Sequence, residues 1–362
     1  MLFSESDKRV EAALTAMTNG GMVVVIDDHD REGEGDIIAA ASTITPEQMA
    51  FIVRHTSGIV CTPITGERAA KLHLDPMVAV NDSAHSTAFT VSIDFKHGTT
   101  TGISAEDRTA TVRALTNGNV AAEDFSRPGH IFPLIARRGG VLMRSGHTEA
   151  AVDMCKLAGL PDVGVICELV NDDGTVTRGQ QVADFAAKHD LPLISVADLI
   201  AYRQRREKLV ERVATFEIDT TAGRAIAYAY STPFDRVQHL AVVFGDLAGG
   251  KDIPVRLQRE DIVTDVFGGA SKLNASIEKL SQTGGVLVYL REGTAGVAHD
   301  KAAAEAERED HGSARQREAE WREVGLGAQI LRDLGVSSIR PMSSRSRYYV
   351  GLDAFGITVA ES

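Results

Sequence analysis

A chain of 362 residues, 43% hydrophobic and 24% charged, has the balance of a globular protein and the length of two domains rather than one. No apolar run approaches the roughly 20 residues of a membrane helix, and the start MLFSESDKRVEAAL shows no signal-peptide pattern, so a cytoplasmic protein with no membrane partner is expected. A net charge of −12 leaves no basic excess to displace counterions from a phosphate backbone, against a nucleic-acid partner, and three cysteines at 61, 155 and 167 are too few and too scattered for a disulfide framework or a thiolate zinc site.

In chain order, residues 6–19 read as an amphipathic helix and 22–26 (MVVVI) as a buried strand. Thr45-Pro46-Glu47 opens a helix with Pro at its first position. Further strands are expected at 58–62, 88–93 and 164–169, the last closed by the turn Asn171-Asp172-Asp173-Gly174. Between them, Ser104 caps a helix with acid in its first turn that ends near Asn117-Gly118. The charged stretch 202–208 suits a domain junction, after which come strands at 241–244 and 285–290, a helix at 327–334 and a strand at 338–341. Residues 301–322, rich in Ala, Glu and Arg, are either an exposed helix or poorly ordered. The alternation predicts a two-domain α/β (α+β) protein with a layered first domain.

The densest chemical signal follows the first strand. Residues 27–36 (DDHDREGEGD) hold six carboxylates with one His and one Arg, and carboxylates this close repel unless a cation lies among them. The stretch is either a solvated acidic turn or a cation site, with Gly33 and Gly35 supplying loop freedom. Small residues in Arg144-Ser145-Gly146-His147-Thr148-Glu149 precede a helical stretch, leaving amides and the Arg144 fork for an anion. In Ser126-Arg127-Pro128-Gly129-His130, Pro and Gly set a turn that presents His130. Glu168 ends an apolar strand, where partial desolvation raises a carboxyl's pKa toward useful proton transfer.

Together DDHDREGEGD, GTTTGISAEDRTATVRAL, RPGHIFPL, GGVLMRSGHTEAAVDMCKLAGL and ICELVNDDG closely resemble 3,4-dihydroxy-2-butanone-4-phosphate synthase, in order over residues 1–205. The resemblance implies conversion of D-ribulose 5-phosphate into L-3,4-dihydroxy-2-butanone 4-phosphate and formate, a carbon–carbon lyase step of riboflavin synthesis. It implies magnesium, with manganese as a possible substitute, ligated by Glu32 and His147, and sugar-phosphate contacts from Arg31, Glu32, Asp36, Arg144, Ser145, Gly146, His147, Thr148 and Glu168. His130, Glu168, Asp36 and Cys61 match catalytic or substrate-adjacent positions, Cys61 having the alternative of a small core hydrophobe. A homodimer is implied. The departures are His29, where the family usually has Glu, and Gly33, where it usually has Asn.

Residues 206–362 resemble GTP cyclohydrolase II in DVFGGASKLNASIEKL, GGVLVYLREG, GLGAQILRDLGVSSIR and YVGLDAFGITV. That family holds zinc with three Cys thiolates, and the matching positions here are Asp261, Lys272 and Asn274. A carboxylate, an ammonium and an amide do not replace thiolates, so no zinc and no cyclohydrolase activity are expected. The domain is then a structural partner, a nucleotide- or flavin-binding regulator using Arg256, Arg259, Arg291 and Arg322, or an enzyme of altered chemistry. A whole chain that only binds a sugar phosphate or flavin is the remaining reading.

Overall fold

The computed structural model describes residues 4–27, 32–83, 87–233, 237–261, 263–267, 272–291, 324–342 and 352–360. The chain forms two compact units, Met1–Tyr202 and Arg203–Ser362. In the first, strands β1 (Val23–Ile26), β2 (Gly35–Ala40), β3 (Cys61–Ile64), β4 (Ile93–Phe95), β5 (Phe125–Ile135), β6 (Gly164–Glu168) and β7 (Leu193–Ser195) form one mixed sheet, ordered β4-β5-β3-β6-β2-β1-β7. Helices α1 (Glu5–Thr18), α2 (Pro46–His55), α3 (Gly66–Lys71), α4 (Ala105–Ala114), α5 (His147–Leu157), α6 (Gln180–Lys188) and α7 (Val196–Arg206) accompany it.

Local chemistry explains the helix starts. Ser4 and Asp7 form a reciprocal capping box on α1, Thr45 and Gln48 form another on α2 behind Pro46, and Ser104 accepts from the Asp107 N–H at α4. Strands β1 and β2 are buried on both faces, which is why Val23–Ile26 reads as a continuous hydrophobic run. Val24, Ile37 and Cys167 fall on one face with Met49, Ile52, Val112 and Val182 in the larger core. Val25, Asp36 and Glu168 are register partners on the opposite face, and Cys61 pairs with Ile166 beside them. Helix α5 packs on β2, β3 and β6.

Three expectations are revised. The acidic stretch is the loop of an antiparallel β1–β2 hairpin, with Ile26 opposite Gly35, so a strand begins inside the motif. The expected strand at 88–93 is mostly irregular: Phe89 and Thr90 make isolated bridges and regular pairing starts at Ile93. The turn expected at 126–130 is a bulge within strand β5, since Ile93 pairs with Ile131 while Asp94 pairs with Ser126; Pro128 has no N–H to give a ladder.

Gly33 and Gly35 have different reasons to be glycine. Gly33 has φ +66°, a left-handed conformation that Gly and then Asn tolerate best, so glycine in place of the family's Asn keeps the turn. At Gly35 the constraint is space: a Cβ would lie 2.6 Å from Val182 Cγ1 of α6. Gly35→Ala is expected to cost about 1–3 kcal/mol by overpacking, read as a lower denaturation midpoint, with partial recovery in Gly35→Ala/Val182→Ala; an unchanged midpoint in the single variant would refute the contact.

In the second unit β8 (Glu211–Thr220), β9 (Gly223–Ser231), β10 (His239–Phe244), β11 (Ile253–Arg259), β12 (Gly285–Leu290), β13 (Ser338–Pro341) and β14 (Thr358–Val359) build a sheet ordered β14-β13-β11-β12-β10-β9-β8. Helix α8 (Lys272–Thr283) packs on β11 and β12, with Leu280, Val242, Phe244 and Leu287 in a small core. A second helix spans 324–333. Residues 301–322 lie outside the described residues.

Candidate active site

Asp27 and Glu34 close the acidic hairpin. The Asp27 N–H donates to Glu34 O at 3.2 Å and the Glu34 N–H to Asp27 Oδ1 at 3.0 Å. The Glu34 carboxylate turns to Arg178, whose Nη2 donates to Oε1 at 2.6 Å. Arg31 and His29 lie outside the described residues. Glu32 remains near the sheet: Asp27, Glu32 and His147 each bring a ligand atom within 4.8 Å of the others. Glu32 and His147 were expected as ligands; Asp27 joins them because the hairpin folds its start back over its end.

The tautomer of His147 follows from its partners. Nε2 lies 3.1 Å from the Val25 carbonyl, which can only accept, so Nε2 carries the proton. In the neutral ring Nδ1 then turns a lone pair toward Asp36 Oδ1, 3.4 Å away. A proton or a cation is needed between two such lone pairs. Asp36 is buried, its Oδ1 has no hydrogen-bond partner among the described residues, and burial, then the charges of Glu168, Glu32, Asp27 and Glu34, push its pKa well above the usual value of 3.8. The residues therefore fit a divalent cation: hard carboxylate oxygens, one imidazole oriented by a backbone carbonyl, and negative charge in excess.

A pH dependence follows. Because the folded pKa of Asp36 exceeds its unfolded value near 3.8, the folded chain holds a proton that the unfolded chain releases. That stabilisation is complete below 3.8 and is lost as pH rises through the folded value. A cation takes the proton's place, so magnesium is expected to raise the melting temperature more on the alkaline side than on the acidic side. A magnesium-induced rise that does not vary with pH would contradict this.

Glu168 stands across from Asp36 in the β2–β6 register. Glu168 is half-buried at the strand end, the partial desolvation expected of it, while the fully buried carboxyl is its neighbour Asp36. Ser57 holds it twice, Oγ donating to Oε2 at 2.8 Å and N–H to the main-chain oxygen at 2.8 Å. Cys61 is buried beside this pair, and burial, with the charges of Glu168, Cys167 and Asp36, raises its pKa well above the usual range. It lines the site as a neutral thiol rather than as a thiolate nucleophile, which narrows its expected catalytic role.

His130 lies on the β5 bulge, its ring 41% exposed. Its Nδ1 is 2.7 Å from Asp94 Oδ2 and its N–H donates to Asp94 Oδ1 at 2.8 Å. Arg108 of α4 ties this region to the Ser57 loop: its Nη1 donates to Gly58 O at 2.9 Å, and its guanidinium feels the charge of Asp94. Asp94 and Ser57 went unnoticed in the sequence, where an Asp inside a short apolar strand and a Ser in a loop carry no distinguishing pattern.

Helix α5 starts at His147, with Gly146 as its N-cap and Ser145, His147 and Thr148 buried. Arg144 lies over this start: Nη1 donates to Glu149 Oε2 at 2.7 Å and Nη2 to Thr87 Oγ1 at 3.4 Å. A Cβ at Gly146 would come within 2.6 Å of Arg144 Nη1, so glycine makes the room. First-turn amides and a guanidinium at the positive end of a helix suit a phosphate.

In the second unit the positions matching the cyclohydrolase cysteines lie at a turn and at the start of α8. The Asp261 N–H donates to Asp265 Oδ2 at 2.9 Å, the Asp265 N–H returns to Asp261 O at 2.7 Å, and Tyr289 OH donates to Asp265 Oδ2 at 2.7 Å. Lys272 opens α8 and Asn274 lies in its first turn. Arg256 donates to Gln258 Oε1 and Met342 O, and Arg291 pairs with Glu260. Arg322 lies outside the described residues.

Known proteins resemble the chain along its length. The 3,4-dihydroxy-2-butanone 4-phosphate synthase family matches residues 11–202 and the GTP cyclohydrolase II family residues 211–362. Two Arabidopsis thaliana chloroplastic proteins are each 45% identical over 97% of the chain: the bifunctional riboflavin biosynthesis protein RIBA 1, covered over 67% of its length, and the monofunctional RIBA 2, covered over 75%. RibBX of A. baumannii, a two-domain 3,4-dihydroxy-2-butanone 4-phosphate synthase, superposes with TM-score 0.83 at 35% identity over 98% of this chain and 100% of its own. A synthase crystallised with two magnesium ions matches 54% of this chain and 97% of its own, at 43% identity and TM-score 0.53. On these matches the chain belongs to the 3,4-dihydroxy-2-butanone 4-phosphate synthase family of riboflavin biosynthesis, joined to a GTP cyclohydrolase II-type domain.

Proposed function

We propose that residues 1–205 convert D-ribulose 5-phosphate into L-3,4-dihydroxy-2-butanone 4-phosphate and formate with magnesium, or manganese in its place, and that residues 206–362 do not hydrolyse GTP. The observation that carries this reading is the meeting of Asp27, Glu32 and His147 beside the unpartnered Asp36 oxygen and opposite Glu168. Glu32 and His147, joined by Asp27, hold the ion. Bound there, magnesium supplies the positive charge that polarises a carbonyl and stabilises an enediolate. Arg144 and the amides opening α5 bind the phosphate, with Arg31 completing the contacts that the family resemblance implies. Glu168, held by Ser57, and His130 exchange protons with the sugar, and Asp36 accepts or holds a proton at Oδ1. Cys61 keeps the wall apolar.

The second unit is a structural partner in this reading. Arg256 and Arg291 are held within that unit by Gln258 and Glu260. Homodimerisation through the first unit belongs to the same proposal and is read as solution mass. The central test is formate release from ribulose 5-phosphate by the full chain with and without magnesium. Magnesium-dependent release is expected; none under either condition sinks the reading.

A further inference from the structure

We infer that Asp94 is a positioning residue: it fixes the His130 ring in the tautomer that leaves Nε2 as the basic nitrogen. The inference rests on the synthase reading for its kinetic consequence, though not for its geometry. One carboxylate holds His130 at two points, Oδ1 accepting from the backbone N–H at 2.8 Å and Oδ2 meeting Nδ1 at 2.7 Å. An ionised carboxylate only accepts, so Nδ1 carries the proton and Nε2 does not. The imidazole is thereby locked in rotation as well as in tautomer, while 41% of its side chain stays exposed and Asp94 is withdrawn to 8%.

The surroundings are shaped to keep this pair. Gly102 has φ +89°, and a Cβ there would fall 2.0 Å from Asp94 Oδ2 and 2.7 Å from His130 Nδ1. At Gly129 a Cβ would fall 2.0 Å from the Ile93 carbonyl carbon, so glycine lets the bulge press against β4. The Gly102 loop is pinned by Asp107, which accepts from the Thr100 N–H at 2.9 Å, Thr100 Oγ1 at 2.8 Å and the Gly102 N–H at 3.0 Å. Of the charged groups around the pair, Arg108 on α4 is the cation whose guanidinium feels Asp94; Asp94 itself is the anion against the ring. A carboxylate there stabilises the imidazolium formed when Nε2 takes a proton.

Asp94→Asn separates positioning from a purely structural role. The amide oxygen can still accept from the His130 N–H, but its NH2 group then faces Nδ1 and favours the opposite tautomer. We expect kcat to fall about 100-fold or more with KM changed less than about threefold. In a His130→Gln background the same substitution should cost nothing further in kcat. Unaltered kcat, or a loss that adds fully to that of His130→Gln, overturns the inference. Should the variant not fold, the 15N shifts of His130 in the wild-type chain decide, with the resonance assigned by its disappearance in His130→Gln: an Nδ1–H tautomer supports the inference and an Nε2–H tautomer overturns it. Failure of formate release in the wild-type chain would instead strike the synthase reading and leave the tautomer result standing.

Discussion

Glu32→Ala is expected to abolish magnesium-dependent formate release, a loss of at least about 1,000-fold, because it removes an anionic ligand from a three-residue site. The same substitution removes one of the three candidate ligands gathered there, so magnesium or manganese titration should show weakened binding as well. The control lies two residues away. Glu34 carries an identical carboxylate in the same hairpin, yet it is bound to Arg178 at 2.6 Å, with the Arg side chain 61% exposed. Glu34 is turned away from the three candidate ligands to Arg178, so Glu34→Gln should leave turnover within about fivefold. Normal turnover in Glu32→Ala would remove Glu32 from the metal site. Equal losses in both variants would mean that hairpin charge in bulk, rather than a defined ligand, sustains activity.

The second large effect concerns zinc. Purified chain is expected to contain no tightly held zinc and to release no formate from GTP, since the positions matching the cyclohydrolase cysteines are Asp261, Lys272 and Asn274. Thiolates are what give zinc sites their affinity, on the order of 10–16 kcal/mol in structural examples, and a protonated lysine among the positions opposes any cation. The Asp261 backbone shares a turn with Asp265, whose carboxylate Tyr289 meets from β12. Replacing the three positions together by Cys should introduce zinc binding, seen by elemental analysis, without restoring GTP turnover. One zinc per wild-type chain, with formate released from GTP, would overturn the assignment.

Much of the site was legible because it depends on residue type in short windows. The density of carboxylates in 27–36 marks either a solvated turn or a cation site without coordinates. Likewise the missing cysteines of the second domain are visible without coordinates. Other features were not legible, and particular residues show why. Gly35 reads as loop flexibility, yet its reason is Val182, 147 positions away, whose methyl groups leave no space for a Cβ. Asp27 reads as one acid among six and becomes a candidate ligand only when the hairpin returns it to Glu32 and α5 brings His147. Partial desolvation was foreseen for Glu168, but the full burial of Asp36 was not, because the β2–β6 register sets the two face to face and places Asp36 on an inner strand beneath α5.

What the sequence alone determined, then, is the chemical inventory: a carboxylate-rich loop, the Arg144–Thr148 helix start, His130 and Glu168, a family resemblance in ordered blocks, and a second domain without thiolates. Only the tertiary structure decided which of these share a space and in which protonation state. The unpartnered Asp36 oxygen, the neutral Cys61 thiol and the Asp94–His130 pair arise from strand register and close packing. The physical reason is that burial and electrostatics depend on distance through space, which neighbours along the chain do not report.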